Sequence, residues 1–261
     1  MKGHLIVLEG IDGSGKATQS EFLEQNLISL GKDVMHISFP DYESESSALV
    51  KMYLRGDFGK DPMDVNPYAA SLFYAVDRFA SFRTKWKKFY ENGGIVIADR
   101  YTTSNMVHQM TKYDQAEERK KFLQWLEATE YGELELPRPD LVILLDIPLA
   151  ISERLIRERA AKGGSSDIHE QHLDYLKKCH AAYQELVALY GWKKISCVEE
   201  EKLRSPDDIS RDVKDAVLSI WENKRTRSLD DRLTIALIHR SAIINKNRLI
   251  SSGRGGSPHR W

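Results

Sequence analysis

The stretch HLIVLEGIDGSGKAT, residues 4–18, decides the fold. Its first part, His4 to Glu9, is a short apolar run of the kind that forms a strand buried on both faces. Its second part, Gly10-Ile11-Asp12-Gly13-Ser14-Gly15-Lys16-Ala17-Thr18, fits the spacing G-x-x-x-x-G-K. The glycines let the backbone curl until successive N–H groups face one anion, and the N-terminus of the next helix adds partial positive charge. Lys16 supplies a point charge for a phosphoryl group. A strand before the loop and a helix after it are the context in which this spacing is a phosphate loop rather than a glycine-rich turn. The helix is read from Lys16 to Leu30, with Phe22, Leu23, Leu27 and Leu30 at helical spacing and Gly31 as its stop. The loop departs from its usual form at Ala17, where a Ser or Thr hydroxyl normally touches Mg2+. Thr18 lies about 100° further round the helix and does not replace it. A metal here would lean on nucleotide phosphates, water and another carboxylate.

Outward from this loop the chain alternates strand and helix. A second strand is read at Asp33–Phe39. Helical sequence follows over Pro62–Tyr90, with Pro67 opening the main helix. Asn92-Gly93-Gly94 signals a turn before a third strand, Ile95–Ala98. Thr102–Glu127 holds one or two helices. Leu141–Leu145 is a fourth strand, and Pro148 opens the next helix. Asp167–Tyr190 reads as one long helix, Trp192–Val198 as a fifth strand, and Pro206–Trp221 as a last helix. Such alternation implies an α/β fold, a parallel sheet covered by helices on both faces. No internal repeat interrupts it.

Composition narrows the class. The chain has 261 residues, 41% hydrophobic and 30% charged, which is enough apolar surface for a full core and excludes global disorder. No apolar run approaches the roughly 20 residues a membrane helix needs. No signal peptide is read at Met1-Lys2-Gly3-His4, and two cysteines, Cys179 and Cys197, cannot build a disulfide framework; the expectation is a reducing cytoplasm. Residues 224–261 carry nine Lys or Arg against two Asp, so a basic extension follows an acidic body, 1–223. An acidic body argues against broad binding of a nucleic-acid backbone. The extension ends in Ser251-Ser-Gly-Arg-Gly-Gly-Ser-Pro258, a composition read as disordered, although aliphatics between Leu229 and Ile250 also suit a docked helix.

Five motifs in order give the body an identity. They are Glu9-Gly-Ile-Asp-Gly-Ser-Gly-Lys16, Phe39-Pro-Asp-Tyr42, Leu72-Phe-Tyr-Ala-Val-Asp-Arg78, Asp99-Arg-Tyr-Thr-Thr-Ser104-Asn105 and Asp167-Ile-His-Glu170. Together they resemble the thymidylate kinase family over nearly all of 1–223. The resemblance implies a P-loop NTPase fold: a five-stranded parallel sheet flanked by helices, with a mobile lid at about 154–170. It implies transfer of the ATP γ-phosphoryl group to dTMP, giving dTDP and ADP with Mg2+, by a homodimer.

The resemblance also assigns roles. Gly10 to Thr18 would hold ATP, with Asp12 also meeting the nucleoside 3'-hydroxyl, a hydrogen bond a carboxylate accepts well. Phe39 and Tyr42 would face the acceptor, Tyr42 at its phosphate. Tyr74 and Arg78, four apart on one helix face, would stack on thymine and donate to its O4. The structural alternative is that Tyr74 is core and Arg78 pairs with Asp77. Asp99 would reach Mg2+ through water, and Arg100 would bridge the acceptor and transferred phosphates; the alternative is a structural Asp-Arg pair. Ser104 and Asn105 continue the motif, with Asn105 reading the thymine edge. His108 stands where the family has a tyrosine beside the sugar 2'-carbon.

Arg154, Arg157 and Arg159 precede Gly163-Gly164 in the lid. Because the phosphate loop has no arginine, Arg157 and Arg159 are expected to neutralise developing charge, with Arg154 near adenine. A plain charged helix is the alternative. His169, His172, Cys179 and His180 lack zinc-site spacing and are read as lining a helix. The acceptor phosphate, with a second pKa near about 6, is mostly a dianion at neutral pH, so transfer needs no general base. Other readings of the loop are a different nucleotide kinase, a P-loop regulator without activity, and a nucleic-acid-binding role for the extension.

Overall fold

The computed structural model describes residues 2–161, 168–169 and 172–221, with the side chains at 159, 160 and 173 excepted. The basic extension from 224 onward and, within the lid segment, residues 162–167 and 170 and the side chain of Arg159 therefore lie outside the described residues. Two compact units are formed, Met1–Ala216 and Val217–Trp261. Of the second, residues 217–221 are described, and they are helical.

The first unit is built on five parallel strands: β1 His4–Glu9, β2 Val34–Ser38, β3 Ile95–Asp99, β4 Leu141–Asp146 and β5 Lys193–Ser196. Their order is β2-β3-β1-β4-β5. The interior strands read as unbroken apolar runs because helices cover both faces; Leu5, Ile6, Val7 and Leu8 of β1 have no exposed surface. The register places Ser38, Asp99 and Leu8 side by side at the carboxyl edge. There the chain leaves β1 between β3 on one side and β4 on the other, and α/β sheets bind ligands at this reversal of strand order.

Helices α1 Lys16–Ser29, α2 Ala48–Leu54, α3 Pro67–Ser81, α4 Lys87–Glu91, α5 Thr102–Met110, α6 Ala116–Glu127, α7 Leu149–Ala161 and α8 Leu173–Tyr190 connect the strands. Pro67 does open the main helix, with the Asn66 side chain accepting from the Tyr68 N–H as its cap. The stretch ahead of it, Pro62–Asp64, is a separate 3-10 turn capped by Asp61. Thr102–Glu127 resolves into two helices, α5 and α6. Two widened turns with i to i+5 bonding, Phe82–Trp86 and Ala128–Glu133, follow α3 and α6.

Three elements differ from their sequence reading. Helix α8 begins at Leu173, not at Asp167: Ile168 and His169 form a turn, and Ile168 is held in an apolar cluster with Val50, Tyr53, Leu54 and Ala70. Strand β5 stops at Ser196 because Val198–Glu199 (β6) leaves the sheet to pair antiparallel with Lys202–Leu203 (β7). The short helix α2 has no counterpart in the sequence reading. The last helix starts at residue 206, as read.

Candidate active site

A cavity of about 750 Å³ opens at the carboxyl edge of the sheet. Its floor is the loop between β1 and α1, and its walls come from the segments after β2 and β3, from α3 and α5, and from His169. Of the residues singled out in the sequence, Asp12, Gly13, Gly15, Lys16, Ala17, Thr18, Phe39, Tyr42, Tyr74, Arg78, Asp99, Arg100, Ser104, Asn105 and His108 all line it. Gly10, Ile11 and Ser14 do not; they form the buried underside of the loop.

The loop's shape depends on glycine. Gly10 has φ 155°, and a Cβ there would sit 2.5 Å from the Ser14 Oγ and 2.9 Å from the Leu145 carbonyl oxygen. Gly15 caps α1 at φ 84°, with open space where a side chain would be. Lys16 Nζ donates to the Ile11 carbonyl at 3.1 Å and lies 3.9 Å from Asp12 Oδ1. Burial, and then Arg100, press its pKa below the ordinary lysine value. Burial alone would raise the Asp12 carboxyl, but Arg100 and then Lys16 outweigh it and hold Asp12 well below the usual carboxylate range.

Arg100 is the hub beside this loop. It adopts φ 68°, a left-handed conformation uncommon for a residue with a side chain. Its Nη2 donates to Asp12 Oδ1 at 2.5 Å, and its Nη1 donates to Ser104 Oγ at 3.2 Å and to the Tyr183 hydroxyl at 3.3 Å. Beneath it lies Glu9, fully buried, which accepts from Thr103, Ser104 and Tyr183. Asp99 lines the same end of the cavity, and among the described residues its buried Oδ1 has no hydrogen-bond partner. The structural alternative of an Asp99–Arg100 pair is thus not what forms; Arg100 pairs with Asp12.

At the far end, Arg78 is 1% exposed and donates two hydrogen bonds, from Nε and Nη2, to the fully buried carboxylate of Glu130. Asp77 is engaged elsewhere, accepting from the Asp41 N–H and the Ser46 hydroxyl, so the alternative pairing of Arg78 with Asp77 is also not formed. Tyr74 packs against the cluster around Tyr53 and Ile168 while facing the cavity.

His108 and His169 stack face to face, with centroids 5.0 Å apart and planes 17° apart. The Tyr175 hydroxyl donates to the His108 carbonyl at 3.0 Å and lies 3.2 Å from His108 Nδ1, with Cys179 Sγ 3.5 Å from the same nitrogen. Burial above all keeps both imidazoles neutral, against the pull of Asp12 in the opposite direction: His108 falls well below its ordinary value and His169 to about 3.

The helix α7 arginines stand apart. Arg154 and Arg157 are exposed and pair along their own helix with Glu158 and Glu153, 3.7 Å and 3.4 Å away. Neither lines the cavity.

Sequence reasoning missed several contributors. His169 was assigned to a helix, and only its fixed turn brings it to the cavity. Leu54, Pro40 and Tyr101 complete the wall. Glu130 and Tyr183 support functional side chains from 52 and 83 residues away, a separation no local motif signals.

A parallel sheet of this order, with a phosphate loop on its central strand and an open cavity beside it, defines a P-loop kinase fold. The comparison with known families specifies it: the thymidylate kinase family model matches residues 8–209, and the chain belongs to that family. It is 30% identical over 191 residues to "Thymidylate kinase" of Mycobacterium tuberculosis, covering 72% of this chain and 87% of the relative. It is 31% identical over 191 residues to "Probable thymidylate kinase" of Pyrococcus abyssi, covering 73% and 85%. The corresponding protein of Pyrococcus horikoshii is 30% identical over 214 residues, covering 82% and 95%.

Proposed function

We propose that this chain is an ATP-dependent kinase that transfers the γ-phosphoryl group of ATP to dTMP, giving dTDP and ADP. The observation that carries this reading is one cavity with two chemically distinct ends. One end is a glycine-curled loop with Lys16. The other is a wall formed by Tyr74, Arg78 and Asn105. A phosphate donor fits the first and a pyrimidine the second, and Arg100 stands between them beside Asp12.

The chemistry asks mostly for placement. The attacking oxygen belongs to a phosphate dianion and needs no base. Lys16 and Arg100 hold two anionic groups in line and offset the charge that spreads over the transferred phosphoryl oxygens. Arg157 and Arg159 are proposed to add charge from the lid, and Arg154 to meet adenine.

Magnesium fits the residues present. Asp99 offers a buried carboxylate oxygen that has no hydrogen-bond partner among the described residues, the donor type that Mg2+ prefers. Nucleotide phosphates and water would supply the rest of the ion's coordination. When bound, the ion would neutralise phosphate charge.

We place the enzyme in the cytoplasm; no described helix is long and apolar enough to cross a membrane. We also propose a homodimer. Leu72, Val76 and Phe79, at helical spacing on α3, are 44%, 52% and 38% exposed, an apolar stripe suited to a second copy of itself. Val76→Glu should shift the mass seen by light scattering from dimer to monomer.

The deciding experiment is a coupled assay with ATP and a panel of dTMP, dUMP, dCMP, dGMP and thymidine. Turnover of dTMP well above the others supports the reading. Preference for another monophosphate, or for the nucleoside, makes the protein a different kinase. Absence of turnover favours a regulator.

A further inference from the structure

We propose that Glu130, which never reaches the cavity, is the positioning residue that decides which base the pocket accepts. The inference rests on the dTMP reading above and concerns how that base is read. Glu130 has no exposed surface and sits in the widened turn Ala128–Glu133. Its Oε2 accepts from Arg78 Nε at 2.7 Å and from Thr102 Oγ1 at 2.7 Å. Its Oε1 accepts from Arg78 Nη2 at 2.5 Å and from Asn105 Nδ2 at 3.2 Å. One carboxylate therefore fixes both side chains that line the base end.

The consequence for Asn105 is chemical rather than merely spatial. Its Nδ2 also donates to the Ser71 carbonyl at 3.1 Å. A carboxylate and a backbone carbonyl can only accept, so the NH2 end of the amide must face them. Both amide protons are then committed, and Oδ1, which has no partner among the described residues, is what Asn105 has left for the cavity it lines. Arg78 has no acceptor at all; with Nε and one Nη2 proton on Glu130, its remaining donors belong to the cavity side.

The wall thus pairs a donor from Arg78 with an acceptor from Asn105. That pattern complements a carbonyl beside a ring N–H, the O4 and N3–H of thymine or uracil. Cytosine presents the reverse, an amino group beside a bare nitrogen, and would set donor against donor and acceptor against acceptor. Were Asn105 free to turn over, it would offer N–H instead and welcome the N3 of cytosine. Glu130 forbids that turn.

Glu130→Gln tests this with little change in volume. Gln keeps one acceptor oxygen, and in either orientation its NH2 meets an Arg78 N–H: at Nε, beside Thr102, or at Nη2, beside Asn105. The first orientation unlocks Arg78 alone and the second frees the Asn105 amide as well, so the wall loses its fixed polarity. The measurement is kcat/KM for dTMP and dCMP at saturating ATP, with the KM for ATP as a control. The expected result is a fall of at least about tenfold in the dTMP-to-dCMP ratio, with the ATP KM within about twofold. A merely structural Glu130 would lower both substrates together; an unmoved ratio overturns the inference while leaving dTMP kinase activity intact. A wild-type enzyme inactive on dTMP would instead sink the functional reading itself. Should the variant not fold, a crystal structure of the wild type with dTMP decides. Asn105 Oδ1 on N3, with Glu130 still on both side chains, supports the proposal. Asn105 Nδ2 on the base, or release of either side chain from Glu130, overturns it.

Discussion

Arg100 is where backbone and chemistry conflict. A left-handed non-glycine residue costs roughly 1–3 kcal/mol, and it persists only when its surroundings over-determine it. Here Asp12, Ser104 and Tyr183 fix the guanidinium from three sides. Arg100→Lys keeps the charge but loses the planar fork, so the bridging of phosphates proposed for this side chain would be lost. The expected loss in kcat/KM is about 10²-fold, about 2.7 kcal/mol of transition-state stabilisation, with an unchanged circular dichroism spectrum. An equally active Lys variant would remove Arg100 from the phosphate argument. Asp99→Asn, for its part, replaces a carboxylate by a neutral amide at the oxygen proposed above to face Mg2+. Activity titrated against Mg2+ should then need several-fold more metal for half saturation, whereas an unshifted curve would exclude Asp99. The phosphate loop was legible in the sequence because its parts are contiguous and each glycine or lysine does its work locally. The polarity of Asn105 was not, because it is set by Glu130, on a different element 25 residues along. His169 was illegible for a related reason: its neighbours fix its place, and its spacing does not.

Periodicity identified most elements because the physics behind it is strong. Strands buried on both faces show as apolar runs, and Pro67 and Gly31 mark helix ends by their backbone preferences. What escaped was short or masked by a continuing pattern. Helix α2 has seven residues, too few for two turns of stripe to show. The widened turns after α3 and α6 interrupt the helical bonding without interrupting the composition. Helix α8 was read too long because Ile168 continues its apolar stripe, yet that side chain belongs to another cluster. Its backbone N–H donates to the Leu54 carbonyl at 3.2 Å, tying the turn to the end of α2. This tie carries His169 to the cavity and packs beneath Tyr74. Ile168→Ala should therefore act on stability and on acceptor binding together. A buried Ile→Ala change costs about 2–5 kcal/mol through lost burial and the cavity left behind. Urea denaturation should show that loss, and the KM for dTMP should rise several-fold while the KM for ATP stays put. If both constants move equally, the turn does not serve the acceptor end in particular.

The molecule as a whole couples its stability to acidity through the same end of the cavity. His169 is buried, His108 is partly buried, and the two rings stack; their loss of hydration holds both neutral in the folded chain. In the unfolded chain each returns to about 6.5. Above that value neither state binds these protons, and the pair contributes nothing to the pH dependence. As the pH falls below it, the unfolded chain takes up two protons that the folded chain refuses until far lower, about 3 for His169. Linkage then makes unfolding easier at each step down, with a limiting slope of about 2.7 kcal/mol per pH unit for the two groups. Asp12 works in the same direction only lower, because its folded value is depressed below an ordinary carboxylate range that begins to titrate near about 4. The window between about pH 6 and 4.5 therefore isolates the histidines. Urea midpoints measured across it should fall steeply for the wild type. His169→Gln should remove about half of that slope, and the double variant with His108→Gln should nearly flatten it, whatever either variant does to stability at neutral pH. A wild-type midpoint that holds constant from pH 7 to 4.5 would mean that the rings accept protons in the folded state. The neutral stacked pair would then be the wrong description of the sugar end of the site.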